Sequence, residues 1–277
     1  MLTSLSVKFP EKGKGLKKLI NNLRKDKVSV EVKRARGVSI RQITYTSYSG
    51  KIRLDKADSV IGAQRSRLLC SEKLRFPENS GYGRFYSTDF SARLCTNMAL
   101  SILREYENPE KLKIGIYDLD GDSHDFLFHI LGLCSDVTVV TENSESYRYE
   151  LDRTMDELGA SAVITKCAQD LSECNLIVAP TPIEETIPLK DSAIVLTVER
   201  PKIQINGFVY YKYYLKMPNG FDLLKPQECD EEYFCSALYT LASQYELGSI
   251  IPTLCRNNQT TQTVKSLCAE LDRNGCE

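Results

Sequence analysis

The chain carries ten cysteines without one CxxC pair, and only two histidines. A zinc site of the usual ligand spacing therefore has nothing to be built from. No window approaches the roughly 20 apolar residues that a membrane span needs, and residues 1–15 hold no apolar stretch of signal-peptide length. No internal repeat or low-complexity segment is visible. These absences point to a reduced, cytoplasmic globular protein with no membrane partner. Cys95, Cys134 and Cys235 fall inside apolar periodic segments, where a thiol behaves as a small buried hydrophobe. Cys167 and Cys174 flank a strand connection and are expected to be buried rather than catalytic, since no histidine lies near them in sequence to act as a base.

What is present is enough apolar residue, 42% of 277, for one large core or two modest ones. The formal charge of -1 conceals an asymmetry. Residues 1–67 hold 17 Lys and Arg against 5 Asp and Glu, a net +12, which leaves -13 for the remainder. Such a split suggests two units with different surfaces. The basic unit offers residues 8–67 to a polyanion or a phosphorylated ligand, although a solvated lysine-rich face is the commoner explanation of such a surface. A homo-oligomer is compatible with either reading.

After a polar start, Leu16, Leu19, Ile20 and Leu23 recur at helical spacing between lysines, predicting a short basic amphipathic helix that ends near Asp26. The period then becomes two. Val28, Val30 and Val32 alternate with polar residues, and Ile40 to Thr46 and Lys51 to Leu54 read as further strands around a Ser49-Gly50 turn. Residues 62–87 mix arginine with glycine and tyrosine, a combination that can hold an anion, with Arg65, Arg67 and Arg84 as its candidates, or can as easily form a loop packed on its own tyrosines. Thr88 opens a long helix with Phe90, Leu94, Met98, Ile102 and Leu103 on one face, to about Tyr106. Asn108-Pro109 is the expected boundary, dividing the chain into 1–108, a basic α+β domain, and 109–277.

From Lys111 the pattern alternates strand and helix, and each strand is apolar throughout, as when both faces of a parallel sheet are covered. Strands are expected at Ile114 to Tyr117, Val137 to Thr141, Ala162 to Thr165, Leu176 to Ala179 and Ala193 to Val198. Asp122 or Ser123 would cap a helix carrying Phe126, Leu127, Ile130 and Leu131 that stops at Gly132. Ser144 would open another, with Tyr147, Leu151, Met155 and Leu158 inward, stopped by Gly159. Asn206-Gly207 reads as the turn of a hairpin between Lys202 to Ile205 and Phe208 to Leu215. Two helices, about Asp230 to Tyr245 and Gln262 to Asp272, finish the chain, and one of them is expected to cross back to the first domain. The fold class is α/β: a Rossmann-like, doubly wound, mostly parallel sheet preceded by a smaller α+β domain.

In such a sheet ligands settle beyond the carboxyl ends of the strands, which directs attention to residues 118–123, 141–143, 165–166 and 179–182. The order and spacing from Lys113 to Ile183, with Asp170 to Pro182 as its most distinctive phrase, resemble the nicotinamide-binding domain of the shikimate dehydrogenase and amino-acid dehydrogenase type. That resemblance covers about a quarter of the chain. It implies NAD(P), with Thr181 and Pro182 beside the nicotinamide and Glu142 near the adenosine ribose. The same alignment places the family's G-x-G-x-x-G on Asp118, Asp120 and Ser123. Those glycines let a pyrophosphate touch backbone amides. Two carboxylates about 4 Å from a phosphate would each cost about 1 to 4 kcal/mol at effective dielectrics of about 80 to 20. The first domain also lacks the Lys and Asp motifs that shikimate dehydrogenases use on substrate.

Ile116 to Gly121 is also similar to the first motif of haloacid-dehalogenase-like phosphatases. That likeness implies Asp118 as nucleophile, Asp120 as acid and base, magnesium between them, and Thr141 and Lys166 at the phosphate-binding positions. The final acidic motif of that family is missing, and Asp122 replaces its usual threonine. The favoured reading keeps the fold without the cofactor or a metal. Asp118, Asp120 and Asp122 are then turn and capping residues, and a small ligand or protein partner meets a cleft formed by Asp118, Asp120, Gly121, Ser123, His124, Glu142 and Thr181 with Arg65, Arg67 and Arg84. His124 and His129, five apart, face different sides of a helix and make no ligand pair.

Overall fold

The computed structural model describes residues 1–10, 24–48 and 50–274. The basic helix expected over Leu16 to Leu23, and Ser49 of the expected turn, lie outside the described residues. The chain divides into two compact units. Residues 1–87 and 217–247 form the first, and residues 88–216 and 248–277 the second. The boundary expected at Asn108-Pro109 therefore falls at Ser87-Thr88, and the first unit is completed by a returning segment.

The first unit is built on a three-stranded mixed sheet of order β1-β3-β2. Its strands are β1 (Leu2–Lys8), β2 (Lys27–Ala35) and β3 (Val38–Thr46). β1 runs parallel to β3, from Leu2 against Ile40 to Lys8 against Thr46. β2 runs antiparallel to β3 and is joined to it by the two residues Arg36 and Gly37. The polar start is thus a strand: Leu2, Thr3, Ser4 and Leu5 are all buried. Thr3 and Ser4 masked it, because alternation is the sequence signal of a half-buried strand and both faces are covered here.

Lys51 to Leu54, read as a strand, is not one. Its backbone is held instead by hydroxyls, Ser47 Oγ donating to the Lys51 carbonyl at 2.7 Å and the Arg53 amide donating to Tyr45 Oη at 3.1 Å. It leads into α1 (Asp55–Ile61), whose Ala57 and Ile61 close a core with Leu5, Ile43, Tyr45, Leu68 and Cys70. The returning segment adds the helix Glu231–Leu241, capped by Asp230, whose Oδ1 accepts from the Tyr233 amide at 2.7 Å.

The second unit opens with α2 (Asp89–Glu105), and Phe90, Leu94, Met98, Ile102 and Leu103 are all buried. The helix packs against strands of this unit, which is why the boundary precedes it. Thr88 precedes the helix without capping it through its side chain. Next come β4 (Lys113–Tyr117), α3 (Phe126–Leu131), β5 (Asp136–Val140) and α4 (Ser144–Leu158). The strands β6 (Val163–Thr165), β7 (Leu176–Ala179), β8 (Ile194–Thr197) and β9 (Phe208–Tyr210) complete the sheet. Its order is β6-β5-β4-β7-β8-β9, and every neighbouring pair is parallel. Numbered along this unit alone, that is 3-2-1-4-5-6, the doubly wound order whose crevice lies where the first and fourth strands part. The unit is Rossmann-like, and β4 and β7 flank its switch point.

Asn206-Gly207 turns no hairpin. β9 lies parallel to β8, and the Phe208 amide donates to the Ala193 carbonyl at 2.8 Å. A Cβ on Gly207 would stand 2.4 Å from that same carbonyl oxygen, so the glycine permits a close strand approach. A separate antiparallel sheet joins β10 (Lys212–Tyr214), β11 (Leu254–Arg256) and β12 (Thr261–Thr263), and the C-terminal helix Val264–Asn274 packs on α2. α4 is rotated from its expected setting. Tyr147, Glu150 and Thr154 are buried, whereas Met155 and Leu158 are exposed.

Candidate functional site

β4 ends at Tyr117, and Asp118 is the first residue of the turn at the switch point. The Asp118 amide donates to the Val140 carbonyl at 3.0 Å, extending the strand pairing by one bond. Its carboxylate is fully buried and turns inward. Oδ2 accepts from the Ser123 amide at 2.9 Å and from the Tyr147 hydroxyl at 2.8 Å. Oδ1, equally buried, has no hydrogen-bond partner among the described residues. Burial raises the Asp118 pKa above the ordinary carboxylate value, the Ser123 amide and the Tyr147 hydroxyl pull it back, the negative charge of Asp122 pushes it up again, and the nearby Gly121 amide lowers it slightly. The Tyr147 hydroxyl is raised in turn, first by its own burial and then by facing that carboxylate.

The rest of the turn is fastened to the loop after β5. The Leu119 carbonyl accepts from the Glu142 amide at 3.0 Å and from Thr141 Oγ1 at 3.3 Å, and Asn143 Nδ2 donates to the Asp120 carbonyl at 3.1 Å. Gly121 has φ +75°, and a Cβ there would stand 2.9 Å from the Ser146 side chain. The turn therefore rests directly on the first turn of α4. His124 Nδ1 lies 2.9 Å from the Gly121 carbonyl, which places the ring proton on that nitrogen, and its ring meets Tyr147 edge-on.

α3 begins only at Phe126, after a turn, and runs for six residues. Neither Asp122 nor Ser123 caps it: Asp125 occupies that position without a capping bond, and its carboxylate pairs with Arg93 Nη1 at 3.1 Å. The arrangement departs from a dinucleotide loop in a definite way. A backbone amide ahead of this helix already has an anion, supplied by the chain itself.

The structure brings Asp118, Gly121, Ser123 and His124 together with Thr141, Asn143 and Tyr147. Asp120 is tied in through its carbonyl, while its side chain and that of Asp122 are exposed. Thr181 Oγ1 donates to the Tyr117 carbonyl at 3.3 Å, joining the ends of β7 and β4. Glu142 is exposed and its carboxylate faces Lys166 Nζ at 2.9 Å. The electrostatic barrier read from the sequence is thereby corrected. Asp118 is buried and occupies the Ser123 amide, whereas the Asp120 and Asp122 side chains of the same turn are exposed.

Arg65, Arg67 and Arg84 all belong to the first unit. Arg84 is engaged there: Nε donates to the Cys70 carbonyl at 3.1 Å, and its guanidinium lies 3.8 Å from the centre of the Tyr233 ring. Arg65 packs against Gly81, and Arg67 is exposed. Tyr147 and Asn143 were missed as site residues. Tyr147 reads as one more apolar residue of a helix, and the signal that would have found it is its place in the first turn after β5, beside the switch point. Of the five cysteines expected to be buried, Cys95, Cys134, Cys174 and Cys235 are, and Cys167 is exposed because it follows the short edge strand β6. No helix among the described residues is long and apolar enough to cross a membrane.

No protein-family model matches the chain, and no curated protein matches it. Among solved structures it is similar to the Δ1-pyrroline-2-carboxylate reductase of Thermococcus litoralis, in complex with NADH and L-proline. The identity is 14% and the TM-score 0.30, over 45% of this chain and 41% of that one. It is also similar to an archaeal alanine dehydrogenase dimer with bound NAD, at 12% identity and a TM-score of 0.29, over 62% and 56% of the two chains. The chain thus spans between 41% and 56% of the length of these structures. At such scores the likeness adds nothing to the strand order itself.

Proposed function

We propose that the Rossmann-like unit holds a small ligand or a protein partner at the carboxyl ends of β4, β5 and β7, without ordinary use of a nicotinamide dinucleotide. The observation that carries this reading is the Asp118 carboxylate on the Ser123 amide. A pyrophosphate at a helix start is held by amides that have no other acceptor. Here one such amide is already matched, and α3 is a short helix entered through a turn closed on α4. A ligand that suits the remaining surface is uncharged or cationic where it meets Asp120 and Asp122, and can use the exposed Glu142 and Lys166.

The oxidoreductase reading keeps one specific support: the strand order puts a crevice between β4 and β7, with Glu142 exposed just past the end of β5. The phosphatase reading loses its nucleophile, because Asp118 is inaccessible and its Oδ2 already accepts two hydrogen bonds. Thermal unfolding with millimolar NAD, NADP, NADH and NADPH separates the first two. A binder gains RT ln(1 + [L]/Kd) of stability, about 2.7 kcal/mol at a hundredfold excess over Kd. The expected result is no shift in Tm with any of the four, and a rise of several degrees with one of them overturns the proposal.

A further inference from the structure

β2 is the outer strand of the first unit's sheet, nine residues long, and among the described residues no strand pairs with its far edge. Val30 and Val32 on this strand are 45% and 49% exposed, whereas Ile43, directly across from Val30, is 1% exposed. A long edge with apolar side chains standing out of it is the kind of strand that other chains pair with.

The turn fixes which backbone groups are free. Arg36 and Gly37 have φ of 46° and 77°, the signature of a two-residue type I′ hairpin. Ala35 and Val38 then exchange both backbone hydrogen bonds, and by alternation Lys33, Glu31, Ser29 and Lys27 also direct theirs toward β3. The amides and carbonyls of Val28, Val30, Val32 and Arg34 are left directed outward.

We infer that two copies of this chain pair through β2, antiparallel, about a twofold axis at Val32. Charge selects that register among its neighbours. Centred on Val32, Glu31 lies opposite the partner subunit's Lys33, and Lys33 opposite the partner subunit's Glu31. Centred on Glu31, the two glutamates oppose each other. A centre at Val30 sets Lys33 against Lys27 twice, and a centre at Lys33 sets the two lysines together. Within one chain Lys33 and Glu31 stand 3.9 Å apart with side chains 35% and 68% exposed, so both remain available across the axis. The pairing sets Val32 of one copy against Val32 of the other, on the face that carries Val30 and Ile43, and it closes after two chains because the contact is the same on both sides. The product is a six-stranded sheet.

Sedimentation velocity of the full chain across micromolar concentrations tests this. A dimer is expected. Lys33→Glu and Glu31→Lys, each placing like charges opposite each other twice, should raise its dissociation constant about tenfold or more, and the double substitution should bring it back to within about threefold of the starting value. Circular dichroism of each variant checks that the fold is kept. A monomeric unsubstituted chain, single variants that dimerise unchanged, or a double variant that does not recover would each overturn the inference.

Discussion

Each unit carries an aspartate inside it, and the two are treated differently. In the first unit the Asp26 side chain is 3% exposed and both oxygens are satisfied: Oδ1 accepts from the Tyr48 amide at 2.9 Å and Oδ2 from the Tyr45 hydroxyl at 2.8 Å, with Lys56 Nζ 3.7 Å away. In the second unit Asp118 has both its donors on one oxygen, none on the other, and a negative neighbour in Asp122. Asp26 is a tie between strand, loop and helix that the first unit needs. Asp118 is a charge held against its own desolvation, tying the Ser123 amide to the Tyr147 hydroxyl. The difference lies in the surroundings, since the residue type is the same.

The largest expected effect comes from removing the tie. Asp26→Ala strands a backbone amide and a tyrosine hydroxyl and should cost about 3 kcal/mol of stability, read from urea unfolding of the full chain. Asp118→Ala also strands two donors but removes a buried charge, so its loss should be smaller, about 1 kcal/mol. Equal losses would break the comparison.

The contrast sharpens with pH. Asp118 has a raised pKa in the fold, so the folded protein holds its proton more tightly than the unfolded chain, whose aspartates titrate near about 3.9. Below that value Asp118 is protonated in both states and costs nothing. As pH rises the unfolded chain ionises first, stability falls until the folded carboxyl ionises too, and the penalty is constant thereafter. Asp118→Asn keeps an acceptor for Ser123 and Tyr147 and has no such penalty. Its Tm relative to the unsubstituted protein should therefore climb from pH 3 toward neutrality. A difference that shrinks over that range would show that ionised Asp118 is welcome in the fold. Tyr147→Phe should act in the opposite sense, losing about 1 kcal/mol near neutral pH because the carboxylate keeps only the Ser123 amide.

How much of this could be read beforehand follows from how far apart the partners lie. β4, β5, β7 and β8 are runs of apolar residues covered on both faces, and a local pattern is enough to find them. β1 was lost because Thr3 and Ser4 are buried in it, which only its pairing with β3 and with Leu69 explains. Asn206-Gly207 has hairpin chemistry, yet the chain uses it to bring β9 alongside Ala193. At the site, the sequence shows where Asp118 stands but not where it points. Charge at a turn reads as solvent-facing, and the hydroxyl that draws the carboxylate inward belongs to Tyr147, 29 residues away.

The smallest effect expected is that of Lys56. Its ammonium is 3.7 Å from Asp26, but its side chain is 34% exposed, so the attraction is screened and offset by the entropy of holding a long side chain. Lys56→Met keeps the aliphatic stem and removes only the charge, and should cost well under about 1 kcal/mol with an unchanged dependence on denaturant. If the loss instead approached that of Asp26→Ala, the lysine and not the two hydrogen-bond donors would be what makes Asp26 tolerable. The lesson drawn from the pair would then concern counter-charge, and placing a lysine near Asp118 would be the way to make the two alike.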